Sequence, residues 1–336
     1  MNGLTWFDTQ VVQVRDLTPT VREFALQFPQ AVTAAAGAHI NVQVIVGNLP
    51  ETRSYSIVDS HTNGQVIIAV KAVDVSRGGS QYMWSLKSGT RLRASEPVSL
   101  FEPSWTAPDV LLLAGGIGVT PLVSHARALV QRQRPVHMTY LVRNAQEQAY
   151  ADTLRTLLGD ALDIHVADTH PAPDLNALIG ALPPDGQLAM CGPIGLMEAV
   201  RSIWAQQGRP SANLRYETFG ASGHHPTQTF TVHVPRLGID VSVGTGQTML
   251  DALNAAGVTT LSNCRRGECG LCSVDIIAAD GAIDHRDVFY SPAQQAEQHK
   301  MCTCVSRIAG GSVTIEPAWR GDPDWGRPEI LQRKTS

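Results

Sequence analysis

Asp109-Val-Leu-Leu-Leu-Ala-Gly-Gly-Ile-Gly118 is the stretch on which the fold turns. Its unbroken apolar run, with no polar residue alternating, reads as a strand buried on both faces. The glycines and the helix-like segment Leu122 to Gln133 complete a strand, glycine turn, helix unit. A strand followed by a helix recurs as His137-Met-Thr-Tyr-Leu-Val142 with Gln146 to Leu158, and as Gln187-Leu-Ala-Met-Cys-Gly192 with Gly195 to Gln207. Strands alternating with helices predict a parallel sheet covered on both faces, an α/β domain over residues 107–220.

Upstream the pattern changes to short alternating runs broken by turn signals: Val11-Val-Gln-Val14, Val21-Arg-Glu-Phe-Ala-Leu26, His39-Ile-Asn-Val-Gln-Val44 and Val66-Ile-Ile-Ala-Val70. That is the pattern of a small antiparallel β-barrel, expected over 1–106. Downstream, residues 221–228 offer little to bury and read as a linker. A third, α+β domain is expected over 229–320. It starts with a hairpin, Phe230-Thr-Val-His-Val234 and Ile239-Asp-Val-Ser-Val243, and continues with a helix from Thr248, which has a hydroxyl cap and a terminal Gly257. Residues 321–336 read as a polar tail.

A chain of 336 residues exceeds one ordinary core and fits this three-part division. With 43% hydrophobic and 17% charged residues and a net charge of -4, nothing calls for nucleic acid as a partner. The longest apolar run is too short and too rich in glycine to span a bilayer, so no membrane partner is expected. The start, Met1-Asn-Gly-Leu-Thr-Trp-Phe-Asp8, shows no charged segment followed by an apolar one, and the expected location is the cytoplasm. A monomer is the default expectation.

Five of the six cysteines crowd between positions 264 and 304, which reads as ligation, whereas Cys191 stands alone. Cys264-Arg-Arg-Gly-Glu-Cys269-Gly-Leu-Cys272 has the four-residue and two-residue gaps of a plant-type 2Fe-2S site that takes a fourth cysteine from downstream. Gly267 and Gly270 allow the backbone to wrap closely, with amides free to point at sulfur. Structural zinc sites instead show paired C-x2-C knuckles, and only one such pair is present. Spacing alone leaves Cys302 and Cys304 both open as the fourth ligand.

This loop, with Asp284-His-Arg-Asp287 and Cys304-Val-Ser-Arg307, resembles the β-grasp ferredoxin domain of the phthalate dioxygenase reductase family. The resemblance implies Cys264, Cys269, Cys272 and Cys304 as cluster ligands and makes Cys302 a departure from the family pattern. Arg53-Ser54-Tyr55-Ser56 resembles the family's flavin stretch. It implies Arg53 on the flavin phosphate, Tyr55 packed on the ring and Ser56 near the reactive nitrogen, each suited to its side chain. Otherwise these four residues read as an edge strand. Ala69-Val70-Lys71 and Arg77-Gly78-Gly79-Ser80 also match, and two glycines and a serine can present amides and a hydroxyl to a phosphate. FMN is the implied cofactor, with FAD left open by the local residues.

Gly115-Gly116-Ile-Gly118-Val-Thr120-Pro121 follows a buried strand and opens a helix, the context of a dinucleotide-phosphate site, and is similar to the family's pyridine-nucleotide loop. Cys191-Gly192-Pro193 ends a late strand, where ligands of open α/β sheets gather. By resemblance Cys191 faces the nicotinamide, the alternative being a small core residue. Tyr216-Glu-Thr-Phe219-Gly-Ala221 resembles a segment whose Phe219 ring lies beside the flavin, against an ordinary core phenylalanine. His224 and His225 read as linker residues in water. Arg265 and Arg266 read as solvated, or as a docking pair for an acidic partner.

The resemblance covers nearly the whole chain and implies an NADH-dependent reductase of a Rieske-type oxygenase, either an aromatic ring dioxygenase or an O-demethylase. Electrons would move from NADH to FMN, to the 2Fe-2S cluster and to the oxygenase. No residue is needed as general acid or base, because the cofactors carry the chemistry. A reductase for a cytochrome or diiron hydroxylase and a flavin/iron-sulfur redox sensor are the alternatives. The resemblance implies NADH over NADPH; Arg143 could reach a 2′-phosphate, although Asn144 and Glu147 beside it give no cluster of positive charge.

Overall fold

The computed structural model describes residues 4–73, 78–219 and 223–317. Arg77, Gly220, residues 221 and 222 of the expected linker and the 321–336 tail lie outside the described residues. The chain divides into two compact units, Met1–Glu217 and Thr218–Ser336.

The first unit opens with β1 (Trp6–Thr18), β2 (Val21–Gln27), β3 (His39–Val46), β4 (Leu49–Ser60), β5 (Gln65–Lys71) and β6 (Arg91–Ser95). They close into an antiparallel barrel in the order β1-β2-β5-β4-β3-β6, around Phe24, Leu26, Ile40, Val42, Ile57 and Ile68. The four alternating runs fall in β1, β2, β3 and β5. Arg53 to Ser56 pair with β3, whereas the β5 partners of β4 begin only at Ile57, so this stretch has one unpaired side within the closed barrel. A short helix, α1 (Gly79–Ser85), follows β5 and adds Met83 to the barrel core.

The same unit continues with β7 (Val110–Gly115), α2 (Val119–Gln131), β8 (Val136–Val142), α3 (Ala151–Leu158), β9 (Leu162–Val166), α4 (Leu175–Gly180), β10 (Gln187–Cys191), α5 (Ile194–Gln206) and β11 (Leu214–Glu217). Its strands form a parallel sheet in the order β11-β10-β7-β8-β9. β7 is buried along its whole length, as its apolar run requires. The helix expected from Gln146 begins at Ala151 instead. Tyr150 adopts φ 61° and donates its phenol to Glu23 Oε2 at 2.8 Å, while Glu147 is held by side chains of the barrel. Those bonds commit residues 147 and 150 away from a regular helix. The barrel and sheet share more than the chain. Val21, Val58 and Ala69 pack in one apolar cluster with Leu112, Leu122 and Val123, which explains why both belong to one unit.

The second unit has β12 (Phe230–Val234), β13 (Ile239–Val243), α6 (Met249–Ala255), β14 (Ser273–Asp284), α7 (Pro292–Ala296), β15 (Lys300–Cys302) and β16 (Arg307–Pro317). The sheet order is β13-β12-β16-β14-β15, with β12 parallel to β16 and the other pairs antiparallel. Helix α6 lays Met249, Ala252 and Leu253 on this sheet, and Thr248 caps it by accepting the Asp251 amide. This mixed sheet with one packed helix is the expected β-grasp. The described part of the linker is fastened rather than loose. His224 N donates to Asp284 Oδ1 at 2.9 Å, and Arg286 donates to the His225 carbonyl at 3.3 Å.

Candidate functional site

The cysteine loop lies between α6 and β14, and its shape depends on two glycines. Gly267 has φ 76° and Gly270 φ 70°, and a Cβ at either would strike Asp287 and Val305 or the Phe289 ring. Gly267 O accepts the amides of Val288 and Phe289, so the Asp284-His-Arg-Asp287 segment leads into a clamp on this loop. The Arg266 and Glu268 amides both donate to Cys264 Sγ at 3.4 Å. Residue 303 ties in the downstream cysteines: its amide and hydroxyl both donate to Cys272 O, at 3.1 and 2.9 Å.

Cys264 and Cys269 share the loop, while Cys272 packs in one buried cluster with Cys302 and Cys304. The close packing of the three thiols lowers Cys272 and, with burial, pushes Cys302 and Cys304 up. Two thiolates to each of two irons is the demand of a plant-type cluster, and this arrangement fits it. Among the described residues, no three His, Cys, Asp or Glu side chains gather as a single-metal site.

One reading of the sequence is corrected here. Arg266 is not solvated: it is 6% exposed and paired with Glu268 at 3.2 Å. Burial raises the Glu268 carboxyl against the pull of Arg266 and Thr218. Thr218 sits on the loop itself, its amide donating to Glu268 Oε1 at 2.9 Å and its hydroxyl to Arg266 O at 2.5 Å. Arg265 is exposed and ion-paired with Asp251. Phe219, next to Thr218, is 37% exposed, which excludes an ordinary core phenylalanine.

In the first unit the expected flavin residues converge from two segments. Ideal Cβ placement at Gly79 would come 2.7 Å from Arg53 Cγ and Nε, so only glycine lets the guanidinium chain lie across the start of α1. Gly78 has φ 81° and packs on Val46. Arg53 is held by Glu51 at 2.6 Å, and Ser54 donates to Asn41 Oδ1 at 2.7 Å. Tyr55 is half-buried and Ser56 buried. Val70 O accepts the Trp84 indole N–H. Lys71 reaches Glu147 instead of an open site, with Nζ to Oε2 at 2.8 Å. Thr20 donates to the same carboxylate, and these bonds, outweighing burial, hold Glu147 below the usual carboxylate range.

The nucleotide motifs also meet. A Cβ on Gly118 would come 2.1 Å from the Cys191 carbonyl oxygen, and one on Gly115 would come 2.6 Å from Pro193 Cδ. Thus the Gly115 to Gly118 turn lies against Cys191-Gly192-Pro193 at the carboxyl ends of β7 and β10, where chain connections leave in opposite directions and open α/β sheets bind ligands. Thr120 and Pro121 are buried in the first turn of α2, the threonine hydroxyl bonded to Ile117 O. Cys191 is fully buried.

Glu217 is a residue the sequence reading passed over. It ends β11 beside Cys191 and is 1% exposed. Its Oε2 accepts the Ser56 hydroxyl at 3.2 Å, joining the flavin stretch to the nucleotide sheet. A buried carboxylate requires such partners. Nothing in Tyr216-Glu-Thr announces it, because its partner is 161 residues away.

Residues 8–102 match the oxidoreductase FAD-binding domain and residues 232–309 the 2Fe-2S iron-sulfur cluster binding domain. The chain is 32% identical over 316 residues to the heme-dependent oxidative N-demethylase beta subunit of Ectopseudomonas mendocina, covering 93% of this chain and 99% of that one. It is 32% identical over 325 residues to the carnitine monooxygenase reductase subunit of Escherichia coli, covering 94% and 100%. Among solved structures, phthalate dioxygenase reductase superposes with a TM-score of 0.73 at 27% identity, over 93% of this chain and 98% of that one. That protein is described as a modular structure for electron transfer from pyridine nucleotides to 2Fe-2S.

Proposed function

The chain belongs to the phthalate dioxygenase reductase family and is an iron-sulfur flavoprotein oxidoreductase, and from that premise we propose that it is the NADH-dependent reductase of a Rieske-type oxygenase, carrying FMN. The observation that carries the reading is the Cys264 to Cys272 loop, wrapped through Gly267 and Gly270 at positive φ, on a chain that also has a flavin barrel and a nucleotide turn. Bound, the nicotinamide supplies an electron pair as hydride, the flavin accepts it, and the cluster carries electrons singly.

The residues position these groups. Arg53 and Gly78 to Ser80 hold the flavin phosphate, where a guanidinium fork and backbone amides suit an anion. Tyr55 lies along the ring, with Ser54, Val70 and the Lys71 main chain beside it. Ser56, oriented by Glu217, points its hydroxyl at the reactive edge. Gly115, Gly116, Gly118, Thr120 and Pro121 admit the dinucleotide phosphates, and Cys191, Gly192 and Pro193 border the nicotinamide. Cys264, Cys269, Cys272 and Cys304 ligate the irons. Glu147 faces Arg143 with its negative charge, which disfavours a 2′-phosphate and supports NADH over NADPH. The protein acts as a cytoplasmic monomer. No described helix is long and apolar enough to cross a membrane.

The test is an anaerobic titration with NADH and then NADPH, followed in the visible spectrum after the released flavin has been identified by mass. NADH bleaching both flavin and iron-sulfur bands, with FMN released, is the expected result. Failure of both nucleotides to reduce the flavin would sink the reductase reading and favour a sensor. A haem protein as acceptor is the second reading, favoured by the name of the N-demethylase relative. Comparing reduction rates of purified Rieske and haem oxygenase components distinguishes the two.

A further inference from the structure

The described part of the segment that reads as a linker belongs to the second unit. A Cβ at Gly223 would lie 2.2 Å from Arg286 Nε and 2.4 Å from Asp284 Oδ2, so the chain there runs against that buried ion pair, which also holds residues 224 and 225. Arg307, buried as well, donates to Gln228 O at 3.0 Å. The fastening starts earlier still, at the first residue of the unit. Thr218 is 4% exposed, its amide bound to Glu268 and its hydroxyl to the Arg266 carbonyl. The amides of the same two loop residues donate to Cys264 Sγ. Glu217, one peptide bond earlier, ends β11 and accepts the Ser56 hydroxyl of the flavin stretch.

We propose that Thr218 is a positioning residue for electron transfer from the flavin to the cluster, clasping the start of the second unit to its cysteine loop so that no slack chain separates that loop from β11. This rests on the flavin and 2Fe-2S reading above. The flavin stretch and the cysteine loop are each hydrogen-bonded to one of two consecutive residues, whose Cα atoms lie about 3.8 Å apart. A flexible tether would let the separation of its ends vary with its length. The clasp removes that freedom, and the electron that leaves the reduced flavin for the oxidised cluster crosses a gap held constant by it. Losing one buried hydrogen bond shifts a closed-to-open balance about tenfold.

The experiment is anaerobic stopped-flow reduction of the full chain by NADH, with the flavin and iron-sulfur bands followed separately, in wild type, Thr218→Val and Thr218→Ser. Hydrogen exchange of the residue 218 amide and an EPR-monitored cluster midpoint are measured on each. Valine keeps the branched shape and loses the hydroxyl, whereas serine keeps the hydroxyl. The expected result is the same NADH-to-flavin rate in all three and flavin-to-cluster transfer about tenfold slower in the valine variant at an unchanged midpoint. Faster exchange of its residue 218 amide should accompany this, with the serine variant near wild type in every respect. Flavin-to-cluster transfer within threefold of wild type in the valine variant overturns the proposal. A slowing that comes with a shifted midpoint also overturns it, by placing the effect in the driving force. Rapid exchange of the wild-type Thr218 amide overturns it whether or not iron is bound. A wild-type chain that binds no 2Fe-2S cluster fails the underlying reading instead, which iron analysis reports while the exchange measurement still tests the clasp.

Discussion

Replacing Gly118 by alanine tests the meeting of the two nucleotide motifs. Gly118 has φ -60° and ψ -7°, angles any residue adopts, so alanine adds no backbone strain. The whole effect is steric. The new methyl would lie 2.1 Å from the Cys191 oxygen, 2.4 Å from its carbonyl carbon and 2.8 Å from the Gly192 nitrogen. All three are backbone atoms that cannot swing aside, so the turn and the end of β10 must separate by about 1 Å. Overpacking of this kind costs about 1–3 kcal/mol of stability. Misplacing reacting groups by about 1 Å costs about 100-fold in rate, equivalent to about 2.7 kcal/mol. The assay is anaerobic stopped-flow bleaching of the flavin by NADH, with thermal unfolding alongside and the cluster EPR signal as an internal control from the second unit. Flavin reduction about 100-fold slower, a lower melting temperature and an unchanged cluster signal are expected. A variant that reduces its flavin within threefold of wild type and melts at the same temperature refutes the argued contact.

Three further predictions follow from buried polar groups. Glu217→Ala strands the Ser56 hydroxyl and should slow NADH-driven flavin reduction about tenfold, close to the worth of one hydrogen bond, while dithionite reduction of the cluster is unaffected; equal rates would dismiss the pair. Glu147→Ala deprives Lys71 and Thr20 of their shared acceptor and should lower the urea stability of the first unit by about 1–3 kcal/mol, which a Thr20→Ala variant would only partly reproduce. His125 is fully buried against Phe101 O, and burial lowers it to about 4 despite that bond. The unfolded chain therefore binds a proton near pH 6.5 that the folded chain refuses. Stability is full above pH 6.5 and falls by about 3 kcal/mol as pH drops to 4, and His125→Gln should flatten that part of the urea-stability profile.

Legibility followed the range of the interactions. The cysteine loop was readable because a cluster imposes its spacing on nine adjacent residues, and β7 because burial on both faces writes an unbroken apolar run. The strands β9 and β11 went unseen, being short and, apart from Val166 and Glu217, only partly buried or exposed, so that no period marks them. Arg266 and Glu268 look like surface charges in sequence, yet each neutralises the other in the interior, with Thr218 completing the set. The late start of α3 was hidden for a similar reason: Tyr150 and Glu147 answer to Glu23, Lys71 and Thr20, residues of another sheet. Cluster spacing is spelled locally; burial of a charge and pairings over 50 to 127 residues leave no mark in either partner.

The two hydrogen bonds from Thr303 to Cys272 O bear on how the holoprotein is made. Three of the proposed ligands arrive together on one loop, but the fourth is delivered only when β15 has aligned with β14 in the register Ser273 to Cys302. A slip of one residue would turn the following cysteine away from its partners. Cluster assembly therefore depends on that register: a chain with the edge strand misaligned offers three of the four proposed ligands and would keep the yellow of a flavin without the brown of a cluster.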